Sequence, residues 1–315
     1  MKDNKILQQL NNYINYKHSL GFKFKHVESV LRNFASYTLS IDYNGSITLE
    51  IVLKWISTGR QFDKTMGRKL EVIRPFSKYV TAFDNKAEII PLVYKNVHDR
   101  PTPYIYTEDE IIKLMAECQN IYSPDGIRAT SIKIVIGLLW ATGLRPSEPV
   151  NLTNADVNLD NLVLHIKETK FSKERYVTFD NSVKYQLYKY KLLKEQKFGI
   201  KGLEEPFFYT TGGKPLTERA LAYAFKLIRP CIAAKPIGYS HVRLYDFRHT
   251  KACNTIKYWT EQGIDVNKNL YILSTYMGHV KPQDTYWYLS ATPDMLELCC
   301  SKYEKMFGGD QIDAF

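Results

Sequence analysis

The 315-residue sequence predicts a mainly α-helical protein with a small β-hairpin or sheet, divided into two domains. Three observations predict it. Apolar side chains recur at helical spacing over most of the chain. Strand-like segments are confined to two short stretches. A proline-bearing segment without periodicity interrupts the chain near residue 100.

The first domain, residues 1–98, reads as four short helices. Leu7, Leu10 and Ile14 mark the first, and Val27, Val30, Leu31 and Phe34 the second. Leu49, Val52, Leu53 and Ile56 mark the third, and Leu70, Ile73, Phe76 and Val80 the fourth. Pro75 is expected to kink that last helix, because it lacks an amide N–H and its ring crowds the preceding turn. The stretch NVHDRPTPYIYT, with Pro101 and Pro103, places a linker at 99–106. Thr107 then pairs with Glu110 as a capping box ahead of Ile111, Ile112, Leu114 and Met115, so the second domain spans 107–315. SIKIVIGLLWATGL is apolar all round and predicts a buried helix ending near Gly143. LVLHI at 162–166 and RYVTF at 175–179 read as two strands joined by the polar turn KETKFSKE. Helical pattern returns near 181. Thr292 and Pro293 suit the N-cap and first position of a last helix over 293–307, stopped by Gly308 and Gly309.

Composition excludes several classes. Apolar (44%) and charged (24%) fractions are those of a folded globular chain rather than a disordered one. No apolar run reaches the roughly 18 residues of a membrane span, and the amphipathic N-terminus does not resemble a secretory signal. A cytoplasmic protein is expected. The five cysteines (Cys118, Cys231, Cys253, Cys299 and Cys300) are odd in number and lack CxxC spacing, so inert thiols are expected and a zinc site is not. The net charge of +10 is uneven: residues 1–100 carry 16 basic and 9 acidic side chains, residues 101–315 carry 27 and 24. A small, strongly basic N-terminal part is the footprint of a polyanion binder, although a solvated surface has the same composition.

Four segments bear phosphate chemistry in order along the chain. They are ATGLRPSE with Arg145, the hairpin turn with Lys170, LYDFRHT with Arg248, and MGHVKPQDTYWYLSAT with His279 and, nine residues later, Tyr288. Each has an ordinary structural reading on its own: a surface arginine, a solvated lysine, a packed histidine, a core tyrosine. The ordered set resembles the tyrosine recombinases, or phage integrase family. Their pattern is an arginine in a TGLRxSE segment, a lysine in a β-hairpin about 25 residues on, an HxxRHT-like segment, and a GH pair followed nine residues later by the nucleophilic tyrosine. The motifs cover roughly residues 105–307, and YINYKHSLGFKFKHVESVLRNF looks like the family's core-binding domain. One position departs: Tyr245 stands where the family carries histidine. A tyrosine can donate a hydrogen bond to a phosphate but carries no positive charge near neutral pH, which puts a proton-transfer role there in doubt.

The resemblance implies a SAM-like helical core-binding domain followed by an α+β catalytic domain. It also implies a site. Tyr288 would attack the scissile phosphate and leave a 3′-phosphotyrosyl link, which a 5′-hydroxyl later reverses. Arg145 and Arg248 would clamp the non-bridging oxygens with planar, permanently charged donors. Lys170 would protonate the leaving oxygen, with Lys173 its rival. His279 would orient the phosphate and Tyr245 would fill the remaining donor position. Tyr286, seven residues from His279, fits the nucleophile's spacing less well than Tyr288. Glu148 and His249 are read as structural supports. Since the covalent link conserves bond energy, no ATP is needed, matching the absence of a GxxxxGK[ST] loop, and no carboxylate cluster suggests a metal. No cofactor is expected.

Family architecture further implies a clamp around duplex DNA, with Lys23, Lys25, Arg32, Lys64, Arg68 and Lys69 as candidate phosphate contacts in the first domain. A homo-tetramer in the synaptic complex is implied for strand exchange. The last helix docks either on a neighbouring protomer or back on its own domain. The chain is similar to simple two-domain recombinases, with a mobile element as the expected setting. Chromosome-dimer resolution, a topoisomerase-like relaxing activity and a non-catalytic DNA-binding regulator are the alternatives.

Overall fold

A computed structural model describes residues 4–59, 62–94, 103–167, 174–232, 242–279, 281 and 284–285. The chain divides into two compact units, Met1–Arg100 and Pro101–Phe315.

The first unit holds α1 (Lys5–Ser19), α2 (Lys25–Ser40), α3 (Leu49–Ile56) and α4 (Asp63–Val80), the four helices expected from the apolar spacing. Their stripes meet in one core built around Leu10, Ile14, Leu31, Phe34, Trp55, Leu70, Ile73 and Phe76. α1 starts at Asn4, whose side chain accepts the Leu7 amide, and α4 runs as a single helix through Pro75. The segment after α4 fastens the bundle. Asp84 is buried and pairs with Lys5 at 2.7 Å, which holds its carboxyl down at about 2. Glu88 accepts the Leu49 amide at the start of α3, and the Ile90 carbonyl accepts a bond from Arg74.

The second unit is mostly helical around a small antiparallel sheet. Its helices are α5 (Glu108–Glu117), α6 (Ile127–Thr142), α7 (Ser147–Val150), α8 (Asn181–Phe198), α9 (Glu218–Ile228), α10 (Asp246–Glu261) and α11 (Val266–Met277). The capping box at Thr107 forms as the sequence predicts, with each partner accepting the other's backbone N–H. α6 is the buried central helix. It is buried along most of its length, with Lys133 exposed, and it ends at Gly143 in the left-handed conformation. The two predicted strands form as β2 (Val163–Ile166) and β3 (Arg175–Thr178), in register Ile166↔Arg175 to Val163↔Thr178. A third strand, β1 (Val157–Asn158), pairs with β2 and has no counterpart in the sequence reading, because two residues carry no alternation to read.

Two residues of the segment read as linker are core. Tyr104 and Tyr106 are buried. The Tyr106 ring stacks on Phe247 with centroids 4.3 Å apart, its amide donates to Thr250 Oγ1, and its hydroxyl donates to the Arg243 carbonyl. Among the described residues, no helix is long and apolar enough to cross a membrane. The predicted last helix, 293–307, lies outside the described residues.

Candidate active site

The site is assembled at the C-terminus of α11. Gly278 adopts φ +67 there, and the Gly278 and His279 amides bond back to Thr275 and Ser274, a Schellman ending. That ending leaves the last carbonyls of the helix without intrahelical donors. Three consecutive ones are each taken by a different arginine. Arg175 donates from Nε to the Tyr276 carbonyl at 2.9 Å, Arg248 from Nη2 to that of Met277, and Arg145 from Nη2 to that of Gly278 at 2.9 Å. The negative end of the helix dipole thus gathers three cations that come from three separate parts of the sequence.

Each arginine is delivered by its own element. Arg145 follows the Gly143 turn that ends α6, and its backbone N–H donates to Glu148 Oε2 at 2.8 Å. Arg248 lies in the first turns of α10 and also donates to the Gly143 carbonyl at 3.0 Å. The start of α10 is secured by Asp246, which accepts three bonds from Arg243. Burial pushes the Asp246 carboxyl up even with Arg243 beside it. Arg175 opens β3, on the turn side of the hairpin.

Glu148 is a carboxylate that Arg175 and Arg145 share. It accepts a two-pronged bond from Arg175, at 2.9 and 2.8 Å, and one from Arg145 Nη1 at 2.9 Å. Burial pushes its carboxyl up, but the Arg175 and Arg145 guanidiniums outweigh this and hold it below its ordinary value. Three guanidiniums gathered at one helix end, with Arg145 and Arg175 on Glu148 and the Asp284 charge acting on His279 in the opposite sense, make a concentrated cationic cluster of the kind that suits an anionic phosphate.

The sequence treats Arg145 and Arg248 as an equivalent pair; the structure separates them. The Arg145 side chain is 22% exposed, whereas Arg248 is fully buried. His279 follows the arginine-bearing carbonyls, and its Nδ1 lies 2.7 Å from Thr285 Oγ1. Burial, together with the charges of Arg248 and Arg145, lowers the imidazole to about 4, so it is neutral near pH 7. Tyr245 sits at the N-cap of α10, 42% exposed, with its ring edge against His249. Lys170 and its rival Lys173, like Tyr288 and Tyr286, lie outside the described residues.

The six candidate DNA contacts are spread over α2, α4 and the turn before α2. Lys23, Lys25, Lys64 and Arg68 are exposed. Arg32 is engaged with Glu28 at 2.8 Å and approaches Asn11. Lys69 is half-buried, with its ammonium 4.8 Å from the centroid of Trp55, and burial lowers its pKa.

Sequence reasoning missed Arg175, Asp246 and the role of the α11 carbonyls. Arg175 stands five residues beyond Lys170 at the start of the predicted strand RYVTF, where nothing local distinguishes it from the lysines of the adjoining turn. Among the described residues, no group of three or more His, Cys, Asp or Glu side chains is placed to hold a metal ion.

A mainly helical unit with a small antiparallel sheet, gathering arginines and a histidine at one helix end, defines a class: the tyrosine recombinases, which break and rejoin DNA strands. The chain belongs to the phage integrase family, whose profile matches residues 105–295. It is 31% identical over 306 residues to "Putative integrase/recombinase y4rB" of Sinorhizobium fredii (strain NBRC 101917 / NGR234), covering 95% of this chain and 96% of that relative. It is 26% identical to the tyrosine recombinase XerC of Bacillus subtilis (strain 168), covering 74% of this chain and 72% of that one. In fold it is similar to the Tn1549 transposon integrase in complex with a circular intermediate DNA, with a TM-score of 0.65, 18% identity, and coverage of 95% and 100%.

Proposed function

We propose that this enzyme cuts and rejoins duplex DNA at specific sites to integrate and excise a mobile element. The observation that carries the chemistry is the convergence of Arg145, Arg248 and His279 on the end of α11. The 31% identity to an integrase/recombinase over almost the whole of both chains supports the mobile-element setting.

In the proposed reaction, Tyr288 Oη attacks the scissile phosphorus, the P–O5′ bond breaks, and a 3′-phosphotyrosyl link forms. The tyrosine gives up its proton to solvent water, aided by the cationic site, and the leaving 5′-oxygen takes one from the Lys170 ammonium. Arg145 meets the non-bridging oxygens at the accessible side of the cluster. Arg248 supplies positive potential from within and holds the Gly143 turn. His279 donates one ring N–H to a phosphate oxygen, and Tyr245 donates its hydroxyl. A 5′-hydroxyl from the partner strand reverses the step. Strand exchange between two duplexes requires four such sites, hence a homo-tetramer on DNA. The exposed lysines of the first unit contribute phosphate contacts.

The test is covalent trapping on nicked suicide duplexes spanning the ends of the DNA segment that encodes the protein. The wild type should form a protein–DNA adduct, and Tyr288→Phe should form none. An adduct of undiminished yield in Tyr288→Phe moves the nucleophile elsewhere, with Tyr286→Phe as the next variant. Absence of any adduct with the wild type favours a DNA-binding regulator on the same scaffold.

A further inference from the structure

We propose that Arg175 is a positioning residue for strand cleavage, tying the hairpin that carries Lys170 to the Arg145 loop and to the end of α11. This rests on the reading of Lys170 as general acid given above.

Arg175 is the first residue of β3 after the turn, paired with Ile166 of β2. Its side chain is only 10% exposed and is committed on two sides. Nη1 and Nη2 grip both oxygens of Glu148, and Nε bonds the Tyr276 carbonyl. Glu148 in turn holds the backbone amide and Nη1 of Arg145. One planar guanidinium therefore spans the hairpin, the Arg145 turn and α11. Only arginine offers that fork; lysine keeps the charge and loses the geometry. The space it needs is specific as well. A Cβ built on Gly278 would stand 3.1 Å from Arg175 Cδ and Nη1. The first residue of β3, five positions after Lys170 in the sequence, is in this way held against the Arg145 turn. General-acid catalysis depends on that kind of placement to within a hydrogen-bond length.

The test uses single-turnover cleavage by the full chain of a duplex that the wild type cleaves. The duplex is made with either the normal 5′-bridging oxygen or a 5′-bridging sulfur. Breaking the P–S bond releases a thiolate that leaves without needing a proton. Arg175→Lys should slow cleavage of the oxygen substrate by about 100-fold, within the usual range for a lost general acid. It should leave DNA affinity within a few-fold of the wild type, and sulfur should restore most of the rate. Lys170→Ala should behave the same way, and Arg145→Ala should stay slow on both substrates. Wild-type cleavage of the oxygen substrate by Arg175→Lys overturns the proposal. So does a defect that persists with sulfur while Lys170→Ala is rescued. If sulfur fails to rescue Lys170→Ala, the general-acid reading itself falls, and this proposal with it. Arg175→Gln, compared by thermal melting, separates misfolding from misplacement: a variant that melts like the wild type yet loses the oxygen-specific rate supports positioning.

Discussion

His279 sets the terms at the residue scale. Its imidazole is brought to about 4 by burial first and the Arg248 and Arg145 charges second. In an unfolded chain the same ring titrates near 6.5. Between those values the proton prefers the unfolded state, so the associated stability is complete above about pH 6.5 and drains away as pH falls towards 4. Wild-type melting temperature should therefore drop more between pH 7 and pH 5 than that of His279→Gln; parallel curves would show that the ring is not held neutral. Glu148 obeys the opposite logic. It is a buried anion that makes its neighbouring cations tolerable, and removing one partner of such a cluster typically costs about 3–5 kcal/mol. Glu148→Gln should lower the denaturant midpoint by a corresponding amount and cripple cleavage, and a loss below about 1 kcal/mol would argue against a tightly coupled cluster.

At the scale of elements, the end of α11 is the organiser. Gly278 sits at φ +67 with Arg175 packed where a side chain would begin. Gly263 has nearly the same φ, +68, with nothing within 4 Å of a built Cβ. Alanine at either position incurs backbone strain of about 1–2 kcal/mol; alanine at Gly278 must also displace the Arg175 guanidinium. Gly278→Ala should therefore destabilise the protein more than Gly263→Ala and slow cleavage, while Gly263→Ala leaves cleavage near normal. Thermal melting and single-turnover rates check both. Helix ends are the most legible part of this architecture. The capping box at Thr107, the stop at Gly143 and the Gly–His pair at 278–279 are written in adjacent residues, because capping is a local interaction. β1 is not legible, because a two-residue strand is defined by its partner rather than by its own pattern.

At the scale of the whole molecule, charge is divided unequally. The first unit, Met1–Arg100, holds 16 basic and 9 acidic residues. The structure ranks its candidate DNA-binding side chains: Lys23 and Lys25 are exposed, whereas Arg32 is paired with Glu28 and Lys69 lies over Trp55. Replacing Lys23 and Lys25 by glutamine should reduce the slope of log affinity against log salt by about one for each phosphate no longer neutralised. Arg32→Gln should change it less. Fluorescence anisotropy with a labelled duplex across a salt series measures this, and equal slopes for all variants would place these residues away from the DNA.

The sequence by itself determined the helical periodicity, the hairpin, the helix stops and the order of Arg145, Lys170, Arg248, His279 and Tyr288. All of these are local patterns or short spacings, and they were enough to suggest the family. Only the tertiary structure decided that three arginines share one helix end, that Arg248 is buried while Arg145 is accessible, and that Arg175 and Glu148 bind the hairpin to the Arg145 turn. It also turned Tyr106 from linker into core. The physical reason is sequence separation. A cap or an amphipathic stripe is specified by residues one to four positions apart, whereas a buried cation is specified by whichever carbonyls and carboxylates folding brings to it. Those partners come from distant parts of the chain and leave no period to read.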